Sequence, residues 1–97
     1  MPTYVSLVHM TQKGTENIKE SPTRIEKFKK IFKSHGGAVK EIYYTLGQYD
    51  CVMISEAPSD EVYATILLTI TAVGSARAET LRAFPEAEYH KIVAAVA

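Results

Sequence analysis

Leu46-Gly47-Gln48-Tyr49-Asp50-Cys51 joins two runs rich in β-branched and aromatic residues, and its reading decides the fold. Residues 39–46 carry Ile42, Tyr43, Tyr44 and Thr45, and residues 49–55 carry Val52, Met53 and Ile54, so both read as strands. Between them, Gly47-Gln48 is the two-residue loop with glycine first that a type II′ turn uses. Such a turn sets a register in which Leu46 lies opposite Tyr49, Tyr44 opposite Cys51 and Ile42 opposite Met53. The other face of the hairpin then carries Val39, Tyr43, Thr45, Asp50, Val52 and Ile54. Both faces are substantially apolar, unlike an antiparallel sheet with one wet side, so each needs a cover.

Upstream of the hairpin, residues 4–9 alternate Val5 and Leu7 against Tyr4 and Ser6, the period of a strand. Thr11-Gln12-Lys13-Gly14 breaks the alternation, and residues 15–19 are expected to form a short helical turn. Ser21-Pro22 reads as a cap followed by proline at the first helical position. Over residues 23–34, Ile25, Phe28, Ile31 and Phe32 recur at three- and four-residue spacing, with Glu26, Lys27, Lys29, Lys30 and Lys33 opposite. Gly36-Gly37 then ends the helix and turns the chain into the hairpin.

Downstream, Ser59 caps a second helix with Asp60 and Glu61 in its first turn, where the helix dipole favours negative charge. Val62, Tyr63, Ile66, Leu67, Ile70 and Val73 continue its apolar face to Gly74. Thr65, Thr69 and Thr71 are poor helix formers, so packing must hold this helix. Residues 75–84 alternate Arg77, Glu79 and Leu81 against Ala78, Thr80 and Arg82, a strand that Pro85 terminates. A last helix from Glu86 presents Tyr89, Ile92, Val93 and Val96. The order is βαββαβ with a C-terminal helix, an α+β ferredoxin-like arrangement of two helices on one face of a four-stranded antiparallel sheet. Residues 1–97 are expected to form a single domain. The apolar second face of the hairpin requires either a closing element, such as the terminal helix, or a second copy of the chain; the second copy is the preferred cover.

At 97 residues the chain is long enough for one modest core and too short to enclose a deep cleft alone. Its 11 basic and 11 acidic residues balance, which argues against nucleic acid as a partner. No apolar run approaches the roughly 20 residues that span a bilayer, so no membrane is expected. The lone Cys51 has no intrachain partner, and Met1-Pro2-Thr3 leads into a strand without a basic region and apolar run. A cytoplasmic location is the expectation.

Several pieces, taken in order, resemble the GYD domain family: Thr11 with Gly14, Asn17-Ile18-Lys19, Ser21-Pro22 with Arg24, Gly36-Gly37 before Val39-Lys40-Glu41, Gly47-Gln48-Tyr49-Asp50, Glu56-Ala57-Pro58, and Gly74 before Arg77 and Thr80-Leu81-Arg82-Ala83-Phe84. The resemblance covers nearly the whole chain, with Gln48 standing between the glycine and Tyr49-Asp50. It implies a ferredoxin-like fold of the dimeric α/β-barrel type, and no established reaction. Related dimeric barrels support small oxygenases and isomerases that need no cofactor, which makes such an enzyme the rival reading by analogy of fold.

The chemistry-bearing residues favour architecture over catalysis. Asp50 is expected to fix the hairpin through nearby backbone or a basic side chain, with a role at a pocket rim as the alternative. Tyr49 reads as a packing residue, with ligand stacking as the alternative. Cys51 has no cation tied to it that would make a thiolate, and reads as a buried small hydrophobe. His9, His35 and His90 lack the spacing of metal ligands, so no metal is expected, and no cofactor either. Lys27, Lys29, Lys30 and Lys33 spread over roughly 160° of a helix and read as a solvated face, without aromatics to stack on bases. Arg77 and Glu79 share a strand face: a weak surface pair if exposed, but Arg77 would meet an anionic ligand group if that face turns toward a second subunit. Tyr49, Asp50 and Arg77 are the candidate ligand-binding residues. Together these features point to a non-enzymatic homo-oligomeric module with room for a small ligand between facing sheets; a regulatory or assembly subunit working through an edge strand is a third reading.

Overall fold

A computed structural model describes all residues, 1–97. Four strands, β1 (Thr3–Met10), β2 (Ala38–Tyr44), β3 (Cys51–Glu56) and β4 (Ala76–Ala83), form one antiparallel sheet in the order β2-β3-β1-β4. Helices α1 (Gln12–Glu16), α2 (Ser21–Ser34), α3 (Asp60–Thr71) and α4 (Glu86–Ala94) complete the chain, with a 3-10 turn at Ile18–Glu20. This is the expected ferredoxin-like α+β architecture, with β2 and β4 as its edges. No helix is long and apolar enough to cross a membrane.

The helix α2 forms because its apolar stripe has somewhere to go. Phe32 is 1% exposed, and Phe28 and Ile31 pack beside it against the core of Tyr4, Met53, Tyr63, Ile66 and Ile70. Its start differs from the expectation: Ser21 is already helical and caps nothing with its side chain, since the preceding 3-10 turn delivers the chain in helical conformation. The helix ends as a Schellman turn. Gly36 takes φ +79°, its N–H donates to the Lys33 carbonyl, and the Gly37 N–H donates to the Phe32 carbonyl at 2.8 Å. At α3 the expected Ser59 cap is present, its hydroxyl accepting from the Val62 N–H, though the helix stops at Thr71, three residues before Gly74. The expected turn at residues 15–19 begins earlier, because the Thr11 hydroxyl accepts from the Gly14 N–H and caps α1.

The hairpin keeps its expected register, with Tyr44 opposite Cys51 and Ile42 opposite Met53, but not its two-residue turn. The strands stop at Tyr44 and Cys51, and residues 45–50 form a wider loop with Leu46 fully exposed at its tip. Asp50 splits its backbone between two neighbours: its N–H donates to the Val8 carbonyl of β1 at 2.8 Å, while its carbonyl accepts from the Thr45 N–H at 2.9 Å, so the two-bond exchange of a tight hairpin pair is not made. A second departure lies at the far end, where a bulge between Val39 and Glu41 shifts the register. Val39 therefore pairs with Ser55 and joins the core beside Ile42, on the side opposite Tyr43.

Tyr4 ties the sheet to α3. Its ring stacks on Tyr63 at 4.0 Å between centroids, and its hydroxyl donates to Asp60 Oδ1 at 2.5 Å. Burial, then the hydrogen bond and charge of Asp60, push its pKa up to about 12. The folded chain thus holds a proton that an unfolded tyrosine releases above about pH 10, so this contribution is whole below pH 10 and lost as pH rises through 12. Because Asp60 is largely exposed, solvent screening reduces its size. Urea midpoints measured at intervals across this range are expected to fall more steeply in the wild-type chain than in Tyr4→Phe.

Only one face of the sheet is covered. Helices α2 and α3 lie over the side of Tyr4, Ser6, Met53 and Ser55, while Val5, Leu7, Val52, Ile54, Tyr43 and Leu81 occupy the other side. The terminal helix does not close it: α4 buries no residue, and Tyr89, Ile92, Val93 and Val96 stay exposed. The radius of gyration, 14.6 Å, reflects this projecting arm, being larger than the roughly 12–13 Å of a compact chain this long.

Candidate functional site

Two of the three candidate residues, Tyr49 and Arg77, converge at the end of the sheet where β1 finishes. The register places Arg77 opposite His9 and Glu79 opposite Leu7, on the uncovered face. Tyr49 comes to the same place from the hairpin loop. Its ring lies 4.7 Å from that of His9, and its hydroxyl donates to Glu79 Oε2 at 2.9 Å. That hydrogen bond, ahead of burial and the Glu79 charge, raises the Tyr49 pKa. His9, Tyr49, Arg77 and Glu79 thus form one polar cluster at the rim of an otherwise apolar surface.

Two sequence expectations change here. Tyr49 does not pack opposite Leu46, because the wider loop takes both out of the ladder. Arg77 and Glu79 do not pair either. Glu79 takes the Tyr49 hydroxyl, and Arg77 is exposed and without an ion-pair partner.

Asp50 turns the other way. Its Oδ2 accepts from the Met10 N–H at 2.7 Å, so carboxylate and backbone together tie the hairpin loop to the end of β1. Asp50→Ala is expected to cost about 2 kcal/mol of stability, the scale of a hydrogen bond to a charged group. Asp50→Asn, which retains an acceptor, is expected to lose less than half of that. Denaturant titrations of the three proteins give the comparison.

Behind Asp50, Cys51 is buried on the covered side. Burial, and secondarily the Asp50 carboxylate, push its thiol pKa up, opposite to the shift a nucleophilic thiolate needs. No three His, Cys, Asp or Glu side chains come together in a way that could hold a metal ion.

One polar feature escaped the sequence reading. Ser6, fully buried, shares a 2.5 Å hydrogen bond with the Tyr63 hydroxyl, which also meets Thr80 Oγ1 at 2.9 Å. These hydroxyls satisfy one another between β1, α3 and β4. A serine between Tyr4 and Val8 on a covered strand face was the available signal, but its partner lies 57 residues away.

The covered side also contains a cavity walled by α2, α3 and the sheet, with Asp50 among its lining residues. The site region therefore has two parts, an apolar open face with a polar rim and a separate cavity beneath the helices.

Comparison with known proteins gives a family and a relative. The family described as GYD domain matches residues 4–93, from the first strand into the terminal helix. A protein of Thermus thermophilus described as "Glutamine synthetase and cystathionine beta-lyase binding protein" is 33% identical over 89 residues, covering 91% of this chain and 94% of that protein.

Proposed function

The chain belongs to the GYD domain family, and from that membership we propose that it is a non-enzymatic, homo-oligomeric module that binds other proteins, acting as one domain over residues 1–97 in the cytoplasm. The observation that carries this reading is the uncovered sheet face. Val5, Leu7, Val52 and Ile54 run side by side across the two central strands, flanked by Tyr43 and Leu81, with no element of the chain over them. Contiguous apolar surface of this kind is costly to leave in water and is characteristic of an interface. A second copy meeting it face to face makes the dimeric barrel, with the same patch on both copies as a two-fold axis requires. The exposed Tyr89, Ile92 and Val93 of α4 then stay available to a partner protein.

By similarity to the Thermus thermophilus protein, the partners are metabolic enzymes of the kind its name gives, glutamine synthetase and cystathionine β-lyase. Titrating the purified chain against each of these two enzymes from its own organism, by co-sedimentation, tests this. A stoichiometric complex at micromolar concentration is expected with at least one. Failure with both, together with a chain that stays monomeric, overturns the reading.

The polar rim favours a second reading. In a face-to-face dimer, Tyr49 and Arg77 border the space between the sheets, where Arg77 meets an anionic group of a small ligand. A cofactor-independent enzyme of the dimeric-barrel type would use the same cluster. Turnover of a small molecule that disappears in Tyr49→Phe and Arg77→Ala, with folding intact, favours the enzyme over the binding module.

A further inference from the structure

The helices do not pack completely onto the sheet. Beneath α2 and α3 lies a cavity of about 110 Å³ whose walls are mostly apolar, with Val8, Phe28, Met53, Leu67 and Ile70 among them. Native interiors hold few voids larger than a water molecule, and an apolar cavity of about 150 Å³ takes up benzene. The space is therefore of the order of one aromatic ring.

An independent feature lies in the same wall. Ser75 is 3% exposed and lines the cavity, yet no group of the protein hydrogen-bonds its Oγ. Buried hydroxyls are normally paired, because leaving one unmatched sacrifices its hydration without return. Ser55, the other buried serine with an unpaired hydroxyl, does not line this space. The charged residues that contribute to the lining are engaged or turned away: the Asp50 carboxylate takes the Met10 N–H, the Arg24 guanidinium donates to the Asn17 and Gly14 carbonyls, and Arg77 is exposed at a register position of the open face. An ion drawn into these walls would lose its hydration and gain no free counter-charge.

We propose that this cavity is a binding site for a small neutral molecule of about one aromatic ring, carrying a single hydrogen-bonding group that Ser75 recognises. The site lies on the opposite side of the sheet from the open face, so it stands apart from the protein-binding reading. Its polar contact explains the orphaned hydroxyl, and its apolar walls explain the incomplete packing.

Methyl-resolved NMR of the intact chain, titrated separately with phenol and with toluene, tests the site. Both probes are expected to shift the Val8, Leu67 and Ile70 methyls, with phenol bound the more tightly. Ser75→Ala is expected to weaken phenol by about five- to tenfold, the worth of one hydrogen bond, and to leave toluene unchanged. Ala78→Leu, which fills the cavity from β4, is expected to abolish both responses; Leu67→Phe serves the same purpose from α3 if that variant does not fold. The proposal is overturned if neither probe shifts the cavity methyls, if the shifts fall on Val5, Val52 and Ile54 of the open face, or if phenol keeps its advantage in Ser75→Ala.

Discussion

Ile54→Asp is expected to weaken self-association by at least about 100-fold while leaving each copy folded. Ile54 sits on the central strand β3 opposite Val5, in the middle of the uncovered face, where a mating copy would remove it from water. A carboxylate there must be desolvated without a partner, a cost of about 3 kcal/mol or more. A two-fold interface incurs that cost twice. The isolated chain tolerates the change, because Ile54 is only half-buried and its face opens to solvent. Lys30→Glu, on the exposed back of α2, changes a charge without touching the open face and is the matched control. Sedimentation velocity of the three proteins reads the outcome. Association unchanged in Ile54→Asp would place the interface elsewhere.

Gly14→Ala is expected to destabilise the chain by about 3 kcal/mol, although alanine is the better helix former by roughly 1 kcal/mol. The sign is decided by space. A Cβ at Gly14 would run into the backbone carbonyl of Ser75, well inside van der Waals contact, and backbone cannot step aside as a flexible side chain can. The short helix α1 is a clip that holds the connection from α3 to β4. The Thr11 N–H donates to the Ser75 carbonyl at 3.1 Å, Thr11 Oγ1 donates to the Gly74 carbonyl at 2.6 Å, and Lys13 Nζ donates to the Val73 carbonyl at 2.9 Å. Pushing α1 away weakens these bonds and disturbs the wall that holds Ser75. Chemical denaturation gives the loss directly. A stability equal to wild type or above it would mean that α1 docks differently.

The same residues show how much was legible in the sequence. Phe28 and Phe32 fell on a helical period, Ser59 and Gly36 had the chemistry of helix ends, and Ile42 and Met53 alternated as paired strands do. These signals are local, and the structure follows them. The details that differ depend on partners far along the chain. Asp50 looked like a turn residue, but its N–H and its carboxylate both bond to β1, about 40 residues back, and only its carbonyl is left to Thr45 across the hairpin. Lys40 gave no sign of a bulge, since only the fit of β2 against β3 and α2 decides whether Val39 turns inward.

The functional region follows the same rule. Tyr49 and Arg77 were recognisable as unusual residues at strand ends, yet their meeting around His9 depends on a register between β1 and β4 that no short window contains. Nor does the pattern of Arg77, Glu79 and Leu81 reveal which side the helices take; the structure puts them on the open side. The cavity was beyond reach altogether, because a packing shortfall between α2, α3 and the sheet leaves no mark on hydrophobic periodicity. Apolar content on both faces of the hairpin was legible, and it is the physical basis for expecting a second copy.

The mass of the intact chain under native conditions tests the central claim most directly. At concentrations of about 1–10 µM, within the range set by a standard-sized apolar interface, a dimer or a higher even multiple is predicted, dissociating in Ile54→Asp. A single-chain mass that persists to about 100 µM would contradict the claim that the uncovered sheet face is where this protein meets its own copy.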